Sequence, residues 1–169
     1  MIFISSHPLV MDKIARLRNK DTSVSDFKKT MKEIGMLLAY EVTSTFQTKN
    51  VKIKTPLGSA RCRVVAKDIV VVAILRAGLG LVEGVVEVIP QAKQAHIGIY
   101  RDEETLKPIK YYLRLPSFIA NSYVIIADPM LATGGSAIEA VNIVKSHGAK
   151  NIYFLSVISS RAGIELLKQ

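Results

Sequence analysis

The period of the apolar positions changes several times along the chain, and each change marks an element. Residues 24–43, VSDFKKTMKEIGMLLAYEVT, place Phe27, Met31, Ile34, Leu38 and Val42 three or four apart, which predicts a helix with one apolar face. Ser25 or Asp26 is the expected cap, and the stripe is read as core or as a surface for a second copy. Before it, His7-Pro8 opens a shorter, cation-rich helical stretch, LVMDKIARLRNK.

The pattern then becomes extended. VKIKT and ARCRVV flank Pro56-Leu57-Gly58-Ser59 and predict a β-hairpin, since Pro and Gly supply the turn dihedrals. DIVVVAIL is too apolar for a half-exposed strand and suits a parallel sheet covered on both faces. LVEGVVEVI reads as the crossover helix, AHIGIY and KYYLRL as strands, and SYVIIAD as another buried strand. A helix is expected over 137–147, stopped by Gly148, followed by a third buried strand in NIYFLSVIS and a helix opening at RAGIELLKQ. Strand, helix, strand twice over predicts an α/β fold with a central, mainly parallel sheet flanked by helices. Neither an internal repeat nor a linker interrupts residues 1–169, which predicts one domain.

Composition narrows the setting. Apolar residues make up 49% of the chain, which argues against disorder. No apolar run approaches the roughly 18 residues that span a membrane, and MIFISSHP has none of the marks of a signal peptide. Cys62 is the only cysteine, which excludes an intrachain disulfide and any multi-cysteine metal centre, so a reducing, cytoplasmic setting is expected. The net charge of +9 favours an anionic partner, either nucleic acid or a phosphorylated small molecule.

The chemistry concentrates in YVIIADPMLATGGSAIEA, residues 123–140. An apolar strand ends at Asp128, and Ala132-Thr133-Gly134-Gly135-Ser136 fills the turn into the next helix. Ligands of open α/β sheets bind beyond the carboxyl ends of strands. Glycines let the backbone approach an anion, the helix N-terminus favours negative charge, and Thr133 and Ser136 add hydroxyl donors. A carboxylate beside such a cup accepts from hydroxyls, so the seam is read as a sugar-phosphate site, with phosphate on the turn and a diol on Asp128. No Lys follows the glycines, so this is not a nucleoside triphosphate loop.

Two arginines end apolar strands: Arg76 closes IVVVAILR and Arg101 closes HIGIYR. Beside the phosphate cup both are read as anion ligands, and 101–112 as a loop that folds over the site. Gly78, Gly80 and Gly84 with Asp102 also invite comparison with a dinucleotide fingerprint, although their spacing is G-x-G-x-x-x-G.

ILRAGLG, HIGIYRDEETLKPIKYY and DPMLATGGSA, in this order and spacing, resemble uracil phosphoribosyltransferases; HPLV, GMLLAYEVT and TPLG fall where that family has similar words. The resemblance runs from about His7 to the chain end. It implies a type I phosphoribosyltransferase-like domain with an N-terminal helical region and a hairpin arm. It further implies synthesis of UMP and pyrophosphate from uracil and phosphoribosyl pyrophosphate (PRPP), with Mg²⁺ carried mainly by PRPP. Asp128, Pro129, Met130, Leu131, Ala132, Thr133, Gly134, Gly135 and Ser136 would hold the ribose 5-phosphate. Arg76, Ala77 and Gly78 would bind pyrophosphate, and Arg101 would join them as the loop closes. Asp128, Arg101 and Arg76 would act on the reacting centre, Asp128 near the ribose cation and the arginines on the leaving group. The family's uracil-reading segment, resembling Y-x-x-P-G-x-G-D-A-G-D, is not found up to Gln169, so the C-terminal part of the family domain is read as absent and no residue is assigned to the base. The family also implies a homo-oligomer and, in some members, a GTP effector.

Two other readings are carried. One is a phosphoribosyltransferase-fold regulator or nucleic-acid binder, motivated by Lys13, Arg16, Arg18, Lys28, Lys29 and Lys32. The other is a dinucleotide-binding protein.

Overall fold

A computed structural model describes residues 2–101 and 108–168, and for Arg101 the backbone alone. The chain opens with helices α1 (Pro8–Arg18) and α2 (Val24–Thr43), then a hairpin, β1 (Thr48–Thr55) and β2 (Gly58–Val65). The rest alternates: β3 (Ile69–Leu75), α3 (Leu79–Val88), β4 (Lys93–Arg101), β5 (Pro108–Arg114), β6 (Tyr123–Ala127), β7 (Met130–Leu131), α4 (Gly135–Ser146), β8 (Asn151–Leu155), β9 (Ile158–Ser159) and α5 (Arg161–Leu167).

Five strands form the central sheet in the order β5-β4-β3-β6-β8. β3 pairs in parallel with β4 and β6, and β6 in parallel with β8; only edge strand β5 runs antiparallel, against β4. The burial of β3 explains its composition. Val71 and Ala73 join Ile34, Leu81, Val85 and Ile125 on one face, while Val70, Val72 and Ile74 join Ile97, Ile126 and Val144 on the other. With successive side chains on opposite faces and a helical layer over each, every position of the strand must be apolar.

On the first face, α2 and α3 meet through glycines. A Cβ on Gly84 would lie 2.0 Å from the Lys32 carbonyl oxygen and 2.9 Å from the Gly35 Cα, so the helices touch backbone to backbone. Gly80 instead faces the Met31 side chain, 3.0 Å from where its Cβ would stand, so both glycines lie against α2 and serve helix packing rather than a dinucleotide turn. Met31 and Ile34 of the α2 stripe are buried, Leu38 and Val42 pack against the same cluster, and Phe27 is exposed. At the foot of the hairpin the Phe46 and Tyr123 rings stack with centroids 4.1 Å apart, and the Gln47 N–H donates to the Tyr123 hydroxyl at 3.0 Å.

Several expectations need correction. The α2 cap is Ser23, whose hydroxyl accepts from the Asp26 N–H at 3.1 Å; Ser25 and Asp26 already lie inside the helix. Helix α4 starts at Gly135 rather than 137. The strand expected over NIYFLSVIS is two pieces. β8 is the sheet's edge and mostly half-buried, and the chain then bends so that Ile158 and Ser159 pair with Met130 and Leu131 of β7. Residues 102–107 of the expected loop lie outside the described residues, and 108–112 belong to β5.

Candidate active site

The strand order sets three chain ends side by side. β3 lies between β4 and β6, with Leu75 opposite Gly98 on one side and Ala73 opposite Ala127 on the other. Arg76 therefore follows the central strand, Arg101 ends its neighbour, and Asp128 follows the third. These adjacent ends are the carboxyl edge of the sheet, where α/β proteins place ligands.

Two helices start along this edge, and both have glycine at the N-cap with no side-chain cap: Gly78 for α3 and Gly134 for α4. By contrast His7, Ser23 and Ser160 accept from the first turns of α1, α2 and α5. The first amides of a helix have no acceptor within it, so an open N-terminus presents N–H groups outward. In α4 the first helical bond is Ile138 N–H to Gly134 O, 2.9 Å, which leaves the amides of Gly135, Ser136 and Ala137 ahead of the ladder. Gly134 sits at φ +88°, a left-handed conformation that turns the chain into the helix and that L side chains rarely adopt.

A cavity of about 260 Å³ opens at this turn, lined by Asp128, Met130, Leu131, Ala132, Thr133, Gly134, Gly135, Ser136 and Ala137. Ala132 and Thr133 are exposed, Ser136 half-buried, and Leu131 anchors the floor from the core side. Asp128 is half-buried at the lip. Burial raises its carboxyl above the usual carboxylate range, and the Met130 backbone N–H, donating to it, offsets part of that rise. That bond to the residue two positions on is an Asx turn, which orients the carboxylate.

Of the residues expected around the phosphate, Pro129 does not line the cavity; its carbonyl accepts from the Val157 and Ile158 amides at 3.0 and 3.2 Å. Ala137 does line it and was missed, although its place as an early amide of α4 is readable once the helix start is known. Arg76, Ala77 and Gly78 lie one strand over, on the α3 turn. Arg76 and Ala77 are exposed, Gly78 is buried, and the Leu75–Arg76 peptide is cis. The side chain of Arg101 lies outside the described residues. Among the described residues no three His, Cys, Asp or Glu side chains cluster, and Asp128 is the one carboxylate lining the cavity. Such a donor set suits a cation whose other ligands are phosphate oxygens.

A central parallel sheet with open helix ends over its carboxyl edge is shared by α/β proteins that bind phosphorylated ligands. A hypoxanthine phosphoribosyltransferase from Staphylococcus aureus superposes with a TM-score of 0.54 at 16% identity, over 76% of this chain and 62% of its own. That likeness establishes the type I phosphoribosyltransferase fold. The family model for uracil phosphoribosyltransferase matches residues 4–169, and the chain belongs to that family. Uracil phosphoribosyltransferases of Dictyoglomus turgidum and Clostridium beijerinckii are 49% and 48% identical, over 99% and 97% of this chain and 82% and 79% of theirs. A solved protein from Aquifex aeolicus superposes with a TM-score of 0.94 at 37% identity, covering 99% of this chain and 81% of its own.

The cationic cluster near the N-terminus has local partners. Lys13 pairs with Glu33 at 2.5 Å, Arg16 with Asp12 at 2.9 Å and Lys32 with Glu87 at 2.8 Å. Half of the six residues behind the nucleic-acid reading are thus matched by carboxylates. No helix among the described residues is long and apolar enough to cross a membrane.

Proposed function

We propose that this protein is a pentosyltransferase of pyrimidine salvage, joining uracil to the phosphoribosyl group of PRPP to give UMP and pyrophosphate. The observation that carries the reading is the uncapped N-terminus of α4 facing Asp128 across one cavity. Phosphate and a vicinal diol are the two groups that such a pair of lips complements.

The 5-phosphate sits against the amides of Gly134, Gly135, Ser136 and Ala137, with the hydroxyls of Thr133 and Ser136 as further donors. Asp128, ionised, accepts from the two ribose hydroxyls and stands near the carbon that becomes cationic as the glycosidic bond breaks. The departing pyrophosphate lies over the α3 turn, where the Ala77 amide and the guanidinium of Arg76 meet it, while the Gly78 amide is held inward on the Ile74 carbonyl at 2.9 Å. Arg101, one strand further, joins from the end of β4. Charge that develops in the transition state thus meets fixed donors, which is where electrostatic stabilisation is most effective. Asp128 is the carboxylate that would lie nearest a Mg²⁺ brought in with PRPP, and such an ion would supply charge neutralisation at the leaving group.

The chain acts as a single domain and as a homo-oligomer. Hairpin β1–β2 aligns Val51, Ile53, Ala60, Cys62 and Val64 on one face and Lys52, Lys54, Arg61 and Arg63 on the other. A lone two-stranded ribbon is marginal in water, and a second copy over the apolar face would support it. The chain extended by the family's uracil-reading segment, incubated with PRPP, Mg²⁺ and uracil, is expected to release UMP, and with hypoxanthine to release no nucleotide. Protein that binds PRPP yet forms no UMP contradicts the proposal.

A further inference from the structure

A phosphate cup must offer donors, yet every peptide unit in it also carries a carbonyl that would repel the anion. Three carbonyls of this segment, two of them from cavity-lining residues, are occupied from behind by one short stretch. Pro129 O accepts from the amides of Val157 and Ile158, at 3.0 and 3.2 Å, and Leu131 O from the amide of Ser160, at 2.8 Å. Ala132 O accepts from the Ser160 hydroxyl in a short bond. The first three bonds are backbone to backbone and survive any side-chain change. The last is made by a side chain.

We infer that Ser160 is a positioning residue of the donor site: its hydroxyl holds the Ala132 carbonyl turned away from the cavity, so that the turn meets phosphate with amides alone. This deepens the reading of 128–137 as the ribose 5-phosphate site and rests on it. A second contact acts in the same place. A Cβ on Gly163 would lie 2.7 Å from Ala132 O and 3.0 Å from Leu131 O, so α5 is seated directly on the two carbonyls that Ser160 engages. The same hydroxyl accepts from the Gly163 amide at 2.9 Å, which couples the start of α5 to the turn.

Ser160 itself is exposed. In Ser160→Ala water satisfies Ala132 O without fixing its direction and the α5 cap is lost as well, so affinity is compared on protein shown by its melting curve to be folded. Ser160→Thr keeps the hydroxyl and has solvent space for the methyl. Gly163→Ala keeps Ser160 but presses a methyl on the carbonyl, moving it toward the cavity.

The test is calorimetric titration of ribose 5-phosphate into the full protein and these three variants, with steady-state kinetics in parallel. Ser160→Ala is expected to weaken binding by about three- to tenfold, the range of one hydrogen bond, and to raise the KM for PRPP with kcat held within about twofold. Ser160→Thr restores parental affinity, and Gly163→Ala weakens it at least as much as Ser160→Ala. Equal affinity of parent and Ser160→Ala, or a Thr variant as weak as Ala, overturns the inference while leaving the site reading intact. A parent protein that binds no ribose 5-phosphate removes the reading itself and this inference with it.

Discussion

Gly78 and Ala127 meet so closely that a Cβ on the glycine would stand 2.3 Å from the alanine's carbonyl oxygen and within 3 Å of Ile74 N and O. The turn after β3 is thus pressed onto the last residue of β6, which fixes the turn proposed for pyrophosphate against the base of Asp128. The obstacle is backbone on each side, so nothing yields cheaply. Gly78→Ala should cost about 3 kcal/mol in urea unfolding, the upper range for overpacking, and should raise the apparent KM for PRPP. Parental stability would mean that the two turns are not in contact.

Asp128 ties function to pH. Its carboxyl is raised chiefly by burial, with the Met130 amide opposing, so its folded pKa lies above its unfolded one. If the ionised form accepts from the ribose hydroxyls, as proposed, it is gained at a pH displaced upward from that of an unperturbed carboxylate. PRPP affinity should therefore rise with pH along a limb displaced upward, and Asp128→Asn should abolish the limb and lower kcat/KM.

The sign for stability is the reverse. A raised acid contributes stability that is full below the unfolded pKa and fades as pH rises through the folded pKa. Asp128→Asn, lacking the buried charge, should melt slightly higher than the parent at neutral pH and lose that advantage in acid. Melting curves across the carboxylate range check this, and a variant less stable at neutral pH contradicts it.

Arg101 ends β4 beside Arg76's strand. If its guanidinium meets pyrophosphate as the bond breaks, Arg101→Ala should lose about 3 kcal/mol of transition-state stabilisation, roughly a hundredfold in kcat/KM, in initial-rate assays. An unchanged rate removes it from the site.

The Lys13–Glu33 pair joins α1 to α2, and the hydrogen bond from Lys13 is the first cause holding the Glu33 carboxyl below its ordinary range. The pair's contribution is present above the unfolded pKa of Glu33 and is lost as pH falls through the depressed folded one. Glu33→Gln should flatten that acid limb in thermal melts, by no more than about 1 kcal/mol for so open a pair. A limb of unchanged slope would place the acid sensitivity elsewhere.

Much of this was legible in the residues. The short, β-branched apolar runs at 69–75 and 123–127 suit strands covered on both faces, and the Asp with Thr-Gly-Gly-Ser after it marked the strand-to-helix seam. The limits have physical causes. Ser23, Ser25 and Asp26 are all competent caps, and only tertiary packing decides which turn begins the helix. The split between β8 and β9 arises from long-range pairing with Met130 and Leu131, which no local period announces. Pro129 belongs to the segment read as the phosphate site, but it does not line the cavity and its carbonyl faces the strap behind it. The glycines at 80 and 84 suggested a ligand turn, yet the space they leave is filled by α2.

The central claim, that the open end of α4 grips a sugar phosphate while Asp128 holds its hydroxyls, is tested most directly by a crystal soaked with PRPP and Mg²⁺. Density for the 5-phosphate is expected within hydrogen-bonding reach of the 134–137 amides, with both ribose hydroxyls on Asp128. Phosphate density at another place, or an empty cavity under saturating PRPP, would contradict it.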